Sequence, residues 1–345
     1  MREQSRINWM DWAKVLAIVL VVFGHIPQVK GDFLINYVCT FHMPFFMMLS
    51  GYLSKVNTEL REVLKKLWHT LIVTYLIYNA VFYPYWTIRY VLDEHGAVTW
   101  FDMVVKPLFG TLFFQIETPI SSGLNGATWF LMALMAMRLL LTFFYRLRCV
   151  NGWLFMSVIC CVIIDMWSNY NQFFDSLFFN GLFGCYPFFV IGHFLRKNSG
   201  LKYLTFKNDF ISAVAYGSVS LLFFLNGDCL LQPIWARIVI PYAVSISACL
   251  AFVYACRLMN GYTSQWLVNL SSGTIAIMGL HWMFIGTINY ILEELLNIRD
   301  ITYHWALAIF IAVGICLLIY PFIVFSLKYC PQILGKQGAI KNLEG

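Results

Sequence analysis

Two ionisable side chains near the start of the chain, in the segment DWAKVLAIVLVVFGH, have a spacing that suits chemistry. Lys14 and His25 are eleven residues apart. At about 100° per residue, this spacing places both side chains on one face of a helix, about 16 Å apart along its axis. An imidazole can take a proton from a hydroxyl at neutral pH, and an ammonium group can bind an anion. The pair therefore predicts a polar path along one helix, with a cation near one end and a base near the other.

The two residues differ in how well a purely structural role explains them. A lysine near a helix end commonly extends its amino group to the lipid headgroups, and Asp11, one turn earlier, could pair with Lys14. No headgroup explains His25, which follows Gly24 and precedes the helix-ending Pro27. We therefore regard His25 as the stronger candidate for chemistry.

A second histidine lies in the segment CTFHMPFFMMLSGYL. Pro44 follows His42 by two residues and removes a backbone donor, which frees a carbonyl group near the histidine and kinks or starts the helix. His42 either lines a polar cavity or only hydrogen-bonds the freed backbone, and the residues alone favour neither interpretation. Ser50 and Gly51, later in the segment, are small enough for close helix packing.

Membrane-spanning helices must position these residues. Of the 345 residues, 60% are hydrophobic and 12% are charged, whereas a soluble domain carries about a quarter charged residues. Apolar runs of about 20 residues recur along the chain, so we expect an all-α polytopic membrane protein that forms a single domain over residues 1–345. The segment 100–116 is expected to be re-entrant or interfacial. The ten predicted spans are 10–28, 33–53, 68–92, 128–146, 152–168, 176–195, 209–225, 234–256, 271–293 and 303–328.

The basic residues predict the orientation of these spans. With the N-terminus inside, sixteen lysines and arginines fall in inner segments and four in outer segments. This bias predicts a multi-pass protein of the cell's inner membrane with both termini in the cytoplasm. The net charge of +6 belongs to the cytoplasmic lining, so membrane lipids rather than nucleic acid are the expected partners. The cysteines form no C-x-x-C pair, and no metal site is expected.

Further ionisable residues fall inside the predicted spans, where they are costly and therefore functional candidates. Arg138 either binds a charged substrate or forms an ion pair with Asp165 that supports packing, and both interpretations remain open. Arg237 lies at an outer helix end, where it can meet an acidic loop residue or a substrate. His281 lies within the ninth span. His193 lies near the inner surface, where we expect a solvated side chain.

The two N-terminal segments together resemble the membrane-bound acyltransferase family 3. KVLAIVLVVFGH has the basic residue, ten intervening residues and histidine of that family's first span, and FHMPFFMMLSGYL resembles its second. The likeness is nearest to the branch that O-acetylates sugars of surface polysaccharides and lipo-oligosaccharides, including the fucose 4-O-acetylase type. Later segments resemble family motifs in the expected order: ATWFLMALM at 127–135, YPFFVIGHFLRK at 186–197 and SSGTIAIMGLHWMF at 271–284.

The resemblance implies an acyl-CoA donor, usually acetyl-CoA, a carbohydrate hydroxyl as acceptor, and Lys14 and His25 as the essential pair. Many family members carry arginine where Lys14 stands; a lysine is a point charge, which suits phosphate better than bidentate carboxylate recognition. On this basis His25 is the general base or carries the acyl group briefly, and Lys14 with Arg138 binds the CoA phosphates. The residues expected to complete the proton path, orient the sugar, stack on it or contact the acceptor are His42, His281, Trp129 and Arg237.

A transporter or flippase for a polar or glycolipid solute is the alternative function. Such proteins also place ionisable residues at mid-membrane, and helices interrupted at Pro44 and Pro187 fit them. The sequence shows no matching pair of interrupted spans in its two halves, so we favour the acyltransferase. A structural subunit of an envelope complex is a third alternative, for which the sequence shows neither a coiled-coil pattern nor a large soluble interface.

Overall fold

The computed structural model describes residues 7–29, 31–56, 59–93, 99–118, 120–171, 176–227, 234–295, 297 and 301–336. Apart from two isolated β-bridges, the regular structure of these residues is helical. They divide into two compact units. The first unit comprises Met1–Ser54, Phe188–Thr274 and Thr302–Gly314, and the second comprises Lys55–Pro187, Ile275–Ile301 and Ile315–Gly345. A single domain over residues 1–345 stays a prediction.

We number the α-helices in chain order. They are α1 Asn8–His25, α2 Phe33–Leu53, α3 Leu60–Leu67, α4 Val73–Asp93, α5 Lys106–Leu112, α6 Trp129–Phe144, α7 Val150–Asn171, α8 Leu177–Lys197, α9 Leu201–Leu204, α10 Asp209–Leu225, α11 Ile234–Leu258, α12 Gln265–Ser272, α13 Thr274–Tyr290 and α14 Trp305–Tyr329. The wider π-helical turns are Trp68–Ile72, Phe101–Val105 and Ile291–Leu295, and the short 3₁₀ turns are Gly126–Thr128 and Pro331–Leu334.

Long apolar helices confirm the prediction of an all-α polytopic membrane protein. Within the described residues, seven helical stretches are long and apolar enough to cross a membrane. The helix α10 is apolar but shorter, and the predicted spans 10–28 and 68–92 are helical without being among the seven. The seven stretches are Phe33–Leu53, Gly126–Phe144, Val150–Ser168, Leu177–Lys197, Val239–Leu258, Thr274–Glu294 and Trp305–Tyr329.

Three predicted boundaries are wrong. The first span ends at His25 rather than at residue 28, because Ile26 is extended (φ −76°, ψ 130°), the conformation favoured before a proline. The helix that contains the third predicted span starts earlier than residue 68, since α3 begins at Leu60 and continues into α4 through the π-helical turn. The predicted span 271–293 is divided at Gly273, which lies between α12 and α13.

Side chains that precede a helix cap several of these elements. The Asp32 carboxylate accepts from the backbone N–H of Leu34 at 2.8 Å at the start of α2. The Asn208 side chain accepts from Ile211 N at 2.8 Å at the start of α10. Such caps satisfy backbone donors that have no partner within the first turn. The local sequence therefore defines where these helices begin.

Two glycines let α2 and α8 pack backbone against backbone in the first unit. A Cβ atom on Gly51 would lie 1.9 Å from the Phe189 carbonyl oxygen, and one on Gly192 would lie 1.9 Å from the Met48 carbonyl oxygen. No side chain fits at either position, so small residues are required on both helices. The close packing predicted for Gly51 is confirmed, and Gly192 supplies its counterpart on α8.

The proline in α2 does not interrupt that helix, because a neighbouring helix satisfies the carbonyl that it frees. Pro44 lies inside α2 and cannot donate to the carbonyl of Thr40, four residues earlier. The Ser245 hydroxyl on α11 lies 2.6 Å from that oxygen, and the Cys249 thiol donates to Phe41 O at 3.8 Å. The two partners are one helical turn apart on α11, which therefore holds α2 at its weakest point.

A buried amide organises the segment that leads into α6 in the second unit. The Gln115 side-chain oxygen accepts from the backbone N–H groups of Leu124 and Asn125 at 2.6 and 3.0 Å. Its nitrogen donates to the Tyr75 hydroxyl and to Asn79 Oδ1, both at 2.9 Å. These bonds tie the loop before Trp129 to α4, and Asn125 Nδ2 adds a bond of 2.8 Å to the Gly279 carbonyl of α13.

Candidate active site

The helix α1 carries the two residues that the sequence placed on one face. It is a continuous α-helix from Asn8 to His25, so the eleven-residue spacing puts Lys14 and His25 on the same stripe. Both side chains are partly exposed, whereas Ala13, Ile18 and most of the apolar residues between them are buried. The predicted stripe is therefore present in the fold.

The start of α1 is fixed by a buried carboxylate. Asp11 is 4% exposed and accepts a hydrogen bond of 2.5 Å from the Ser271 hydroxyl at the end of α12. Hydrogen bonds to carboxylates are stronger than neutral ones, and stronger still away from water. This bond positions the helix that carries Lys14 and His25. Pairing between Asp11 and Lys14 stays a prediction.

The backbone fixes which nitrogen of His25 can act as a base. His25 Nδ1 lies 2.7 Å from the Val21 carbonyl oxygen of the preceding turn. A carbonyl oxygen only accepts, so Nδ1 carries the hydrogen in this contact. In the neutral ring, Nε2 is then the atom with a lone pair available to take a proton.

His42 and His281 repeat this arrangement on their own helices. His42 Nδ1 lies 3.0 Å from Val38 O, and His281 Nδ1 lies 2.9 Å from Ile277 O. The hypothesis that His42 only hydrogen-bonds the backbone freed by Pro44 is therefore wrong. Its ring bonds one turn back, and a residue of α11 takes the freed carbonyl.

His42 packs against α1 beside the residue that precedes His25. A Cβ atom on Gly24 would lie 3.7 Å from Nε2 of His42 and 3.8 Å from its Cε1. His42 is 8% exposed, so its ring lies in a largely dry environment, whereas the His25 side chain is partly exposed.

Three other predicted site residues belong to the second unit. Trp129 begins α6, and its ring packs on the backbone of Gly181, where a Cβ atom would lie 2.0 Å from the indole. His281 is fully buried on α13. Arg138 is partly exposed on α6. Arg237 belongs to α11 of the first unit, but its side chain lies outside the described residues.

A cluster of cations around Arg138 was missed in the sequence. Partial desolvation, followed by the nearby charges of Arg138 and Lys55, lowers the pKa of Lys66 on α3. Like charges that lower a lysine pKa indicate a local excess of positive potential, which favours a bound anion. The basic run around Lys66 was visible in the sequence, but nothing there showed that it faces α6.

The solvated position predicted for His193 is wrong. His193 is 4% exposed on α8, next to Gly192. Burial follows from the close packing of α8 on α2 at that glycine, a tertiary contact that hydropathy cannot show. The ion pair between Arg138 and Asp165 stays a prediction. Within the described residues, no three histidine, cysteine, aspartate or glutamate side chains are grouped so that they could hold a metal ion.

Comparison with known protein families identifies the family to which the chain belongs. The searches of curated proteins and of solved structures found no match. The model of acyltransferase family 3, described as an acyltransferase domain, matches residues 7–321. This range includes His25, His42 and every helix from α1 to α13. The chain therefore belongs to this acyltransferase family, and its apolar helices make it a membrane acyltransferase.

Proposed function

We propose that the protein transfers an acyl group, in the simplest case acetyl, from cytosolic acyl-CoA to a hydroxyl of a surface or lipid-linked carbohydrate. The observation that carries this proposal is the imidazole of His42 packed beside Gly24, the residue that precedes His25. Backbone carbonyls hold Nδ1 of each ring, so that Nε2 is the basic atom. Lys14 lies on the same helical stripe as His25.

In the proposed mechanism, Nε2 of His25 takes the proton of the acceptor hydroxyl. The hydroxyl oxygen then forms a bond to the acyl carbon, the carbon–sulfur bond of the thioester breaks, and the proton held by His25 passes to the departing sulfur. General base catalysis of this kind contributes about 10²–10⁴-fold. Because the His42 imidazole is largely shielded from water, its interaction with developing charge is stronger than in solution.

His42 supports the charge changes at His25. Its ring is buried and adjacent, so it can pass on or receive a proton while staying fixed by Val38 O. Lys14, about 16 Å along α1 by helix rise, attracts the anionic part of the donor. Arg138, with Lys55 and Lys66 nearby, is a further proposed anion-binding residue.

The acceptor is proposed to contact three further residues. Trp129 offers a partly exposed indole whose opposite side is supported by Gly181, and aromatic faces of this kind stack on sugar rings. His281 and Arg237 are the proposed polar contacts to the acceptor. The family match favours acyl transfer over the alternative of a transporter or flippase, and Pro44 and Pro187 lie inside continuous helices rather than at interruptions.

Replacement of the proposed base tests this function. In His25→Ala, transfer of radiolabelled acetyl from acetyl-CoA to glycan acceptors by purified protein should fall to background, because no base takes the hydroxyl proton. The matched control is His304→Ala, which removes an exposed histidine of the same unit and should retain wild-type turnover. Thermal unfolding of all three proteins establishes that folding is unchanged. Wild-type turnover by His25→Ala would contradict the assignment.

The acceptor is tested in cells. Mass spectrometry of surface glycans should show one acetyl mass on the modified residues with the wild-type gene, and none with the gene deleted or with His25→Ala. Identical glycan masses in all three strains would contradict a carbohydrate acceptor.

A further inference from the structure

A concave site lies at one end of the first unit, where six helices meet. It has a volume of about 540 Å³ and is lined by the start of α1, the end of α2, the end of α8, α9, the start of α10 and the end of α11. These are the ends that the basic residues place on the cytoplasmic side. We call this space the basic cavity.

Three cations and one carboxylate line the basic cavity, which gives it a net charge of +2. Arg196 donates from Nη1 to the Tyr52 carbonyl at 3.1 Å, and Arg257 pairs through Nη2 with Asp209 Oδ1 at 3.2 Å. Lys202 is exposed at its rim. A concave surface with an excess of one sign of charge concentrates ligands of the opposite sign.

The first turn of α1 adds to this positive potential. The residue that precedes α1, Ile7, offers no side-chain cap, and Ile7 and Asn8 line the basic cavity. The helix dipole and the first-turn N–H groups that keep no partner favour a negative charge at a helix start. Asn260 fixes this turn, since its Oδ1 accepts from Trp9 N at 3.1 Å and its carbonyl accepts from Asn8 Nδ2 at 3.2 Å.

The basic cavity lies at the beginning of the helix that carries the proposed catalytic residues. By helix rise, Lys14 is about 9 Å and His25 about 25 Å from Asn8 along the α1 axis. A donor that carries phosphates at one end of a long flexible arm and a thioester at the other can extend along α1 from the cavity past Lys14 toward His25. Acyl-CoA has this construction.

We propose that the basic cavity binds the phosphate groups of the acyl-CoA donor. This inference rests on the proposed function, and it assigns the binding of phosphates to Arg196, Lys202 and Arg257. Each charge-assisted contact of this kind is strong enough to change affinity by about tenfold or more. The contacts with phosphate should weaken as salt is added, because the rim of the cavity is exposed to water.

Binding measurements on the full-length protein test the proposal. Radiolabelled CoA and pantetheine, which lacks the phosphates, are titrated against purified protein in a zwitterionic detergent. Lys202→Gln should weaken CoA binding by about tenfold. Asp209→Asn removes the one carboxylate and releases Arg257 from its ion pair, so it should tighten CoA binding. The matched control Lys207→Gln alters a nearby exposed lysine that does not line the cavity, and it should bind CoA like the wild type.

Pantetheine separates loss of phosphate binding from damage to the fold. Its binding should be the same in all four proteins, since it carries no charge for the cavity to recognise. Equal weakening of CoA and pantetheine in Lys202→Gln would overturn the proposal, and so would wild-type CoA binding in both cavity variants. Variant-dependent binding to phosphatidylglycerol vesicles, without a change in CoA affinity, would also overturn it and identify a lipid headgroup as the ligand.

The binding measurements distinguish failure of the cavity assignment from failure of the proposed donor. If the wild-type protein binds CoA and the cavity variants bind it equally well, only the assignment of the phosphate site to the basic cavity is wrong. Wild-type protein that binds neither CoA nor acetyl-CoA removes the proposed donor, and with it the basis of the inference.

Discussion

At the scale of single residues, the proposed chemistry depends on how two imidazoles are held. His25 and His42 each bond a carbonyl one turn earlier on their own helix, so neither ring needs a distant side chain to orient it. Gly24 provides the space in which the His42 ring lies next to α1. The glycine is therefore as much a part of the proposed site as the histidines.

Graded substitution of Gly24 tests this geometry. A Cβ atom would lie 3.7 Å from His42 Nε2, which is an ordinary contact, so Gly24→Ala should keep near-wild-type kcat. Gly24→Leu adds atoms in the direction of the ring and should lower kcat by about 10²-fold, since small displacements of catalytic groups are costly. Steady-state acetyl transfer measures both variants. Equal activity of the leucine and alanine variants would argue against this arrangement.

At the scale of elements, the position of His42 depends on a helix that contains a proline. Pro44 has no N–H, so the Thr40 carbonyl lacks its usual donor. The Ser245 hydroxyl of α11 supplies a replacement, and the Cys249 thiol one turn later donates to Phe41 O. Packing of α11 on α2 thus maintains the turn on which His42 lies.

A double-mutant cycle isolates this effect. Ser245→Ala should lower the free energy of unfolding by about 1–3 kcal/mol, because Thr40 O then lacks a donor in an apolar environment. In a Pro44→Ala background, the new N–H of residue 44 bonds Thr40 O, so the same serine substitution should cost about 0.5 kcal/mol or less. Denaturant unfolding in detergent measures the four proteins. Equal costs in both backgrounds would show that Ser245 acts through other contacts.

At the scale of the whole molecule, the helices of the first unit alternate in direction, so that starts and ends of different helices meet at the same side. The starts of α1 and α10 lie with the ends of α2, α8 and α11 around the basic cavity. This grouping is the one expected if successive spans cross the membrane in opposite directions. The bias of sixteen basic residues to four predicts that the cytoplasm is the side that contains it.

Reporter fusions test this orientation. Green fluorescent protein fused after residue 345 should fluoresce, and alkaline phosphatase at the same position should be inactive, because both termini are proposed to be cytoplasmic. The reverse pattern is expected for fusions to a chain truncated after Leu225, at the outer end of α10. Active phosphatase at the C-terminus would reverse the proposed topology.

The sequence by itself determined the helical class and the shared stripe of Lys14 and His25. Both are consequences of local periodicity and of apolar run length, which are properties of neighbouring residues. Helix caps such as Asp32 and the break before Pro27 are also local. Hydropathy did not predict where a helix begins when the helix extends beyond its apolar run, as α3 does before α4.

Only the tertiary structure decided which distant residues meet. The partner of the carbonyl freed by Pro44, the bond from Ser271 to Asp11, the burial of His193 and the cations of the basic cavity all join segments far apart in the chain. A single sequence records which groups each segment offers, but not which segment packs against it. Contacts of this kind arise from close packing of helices at positions such as Gly51 and Gly192, where the shape of two surfaces rather than the order of residues selects the partner.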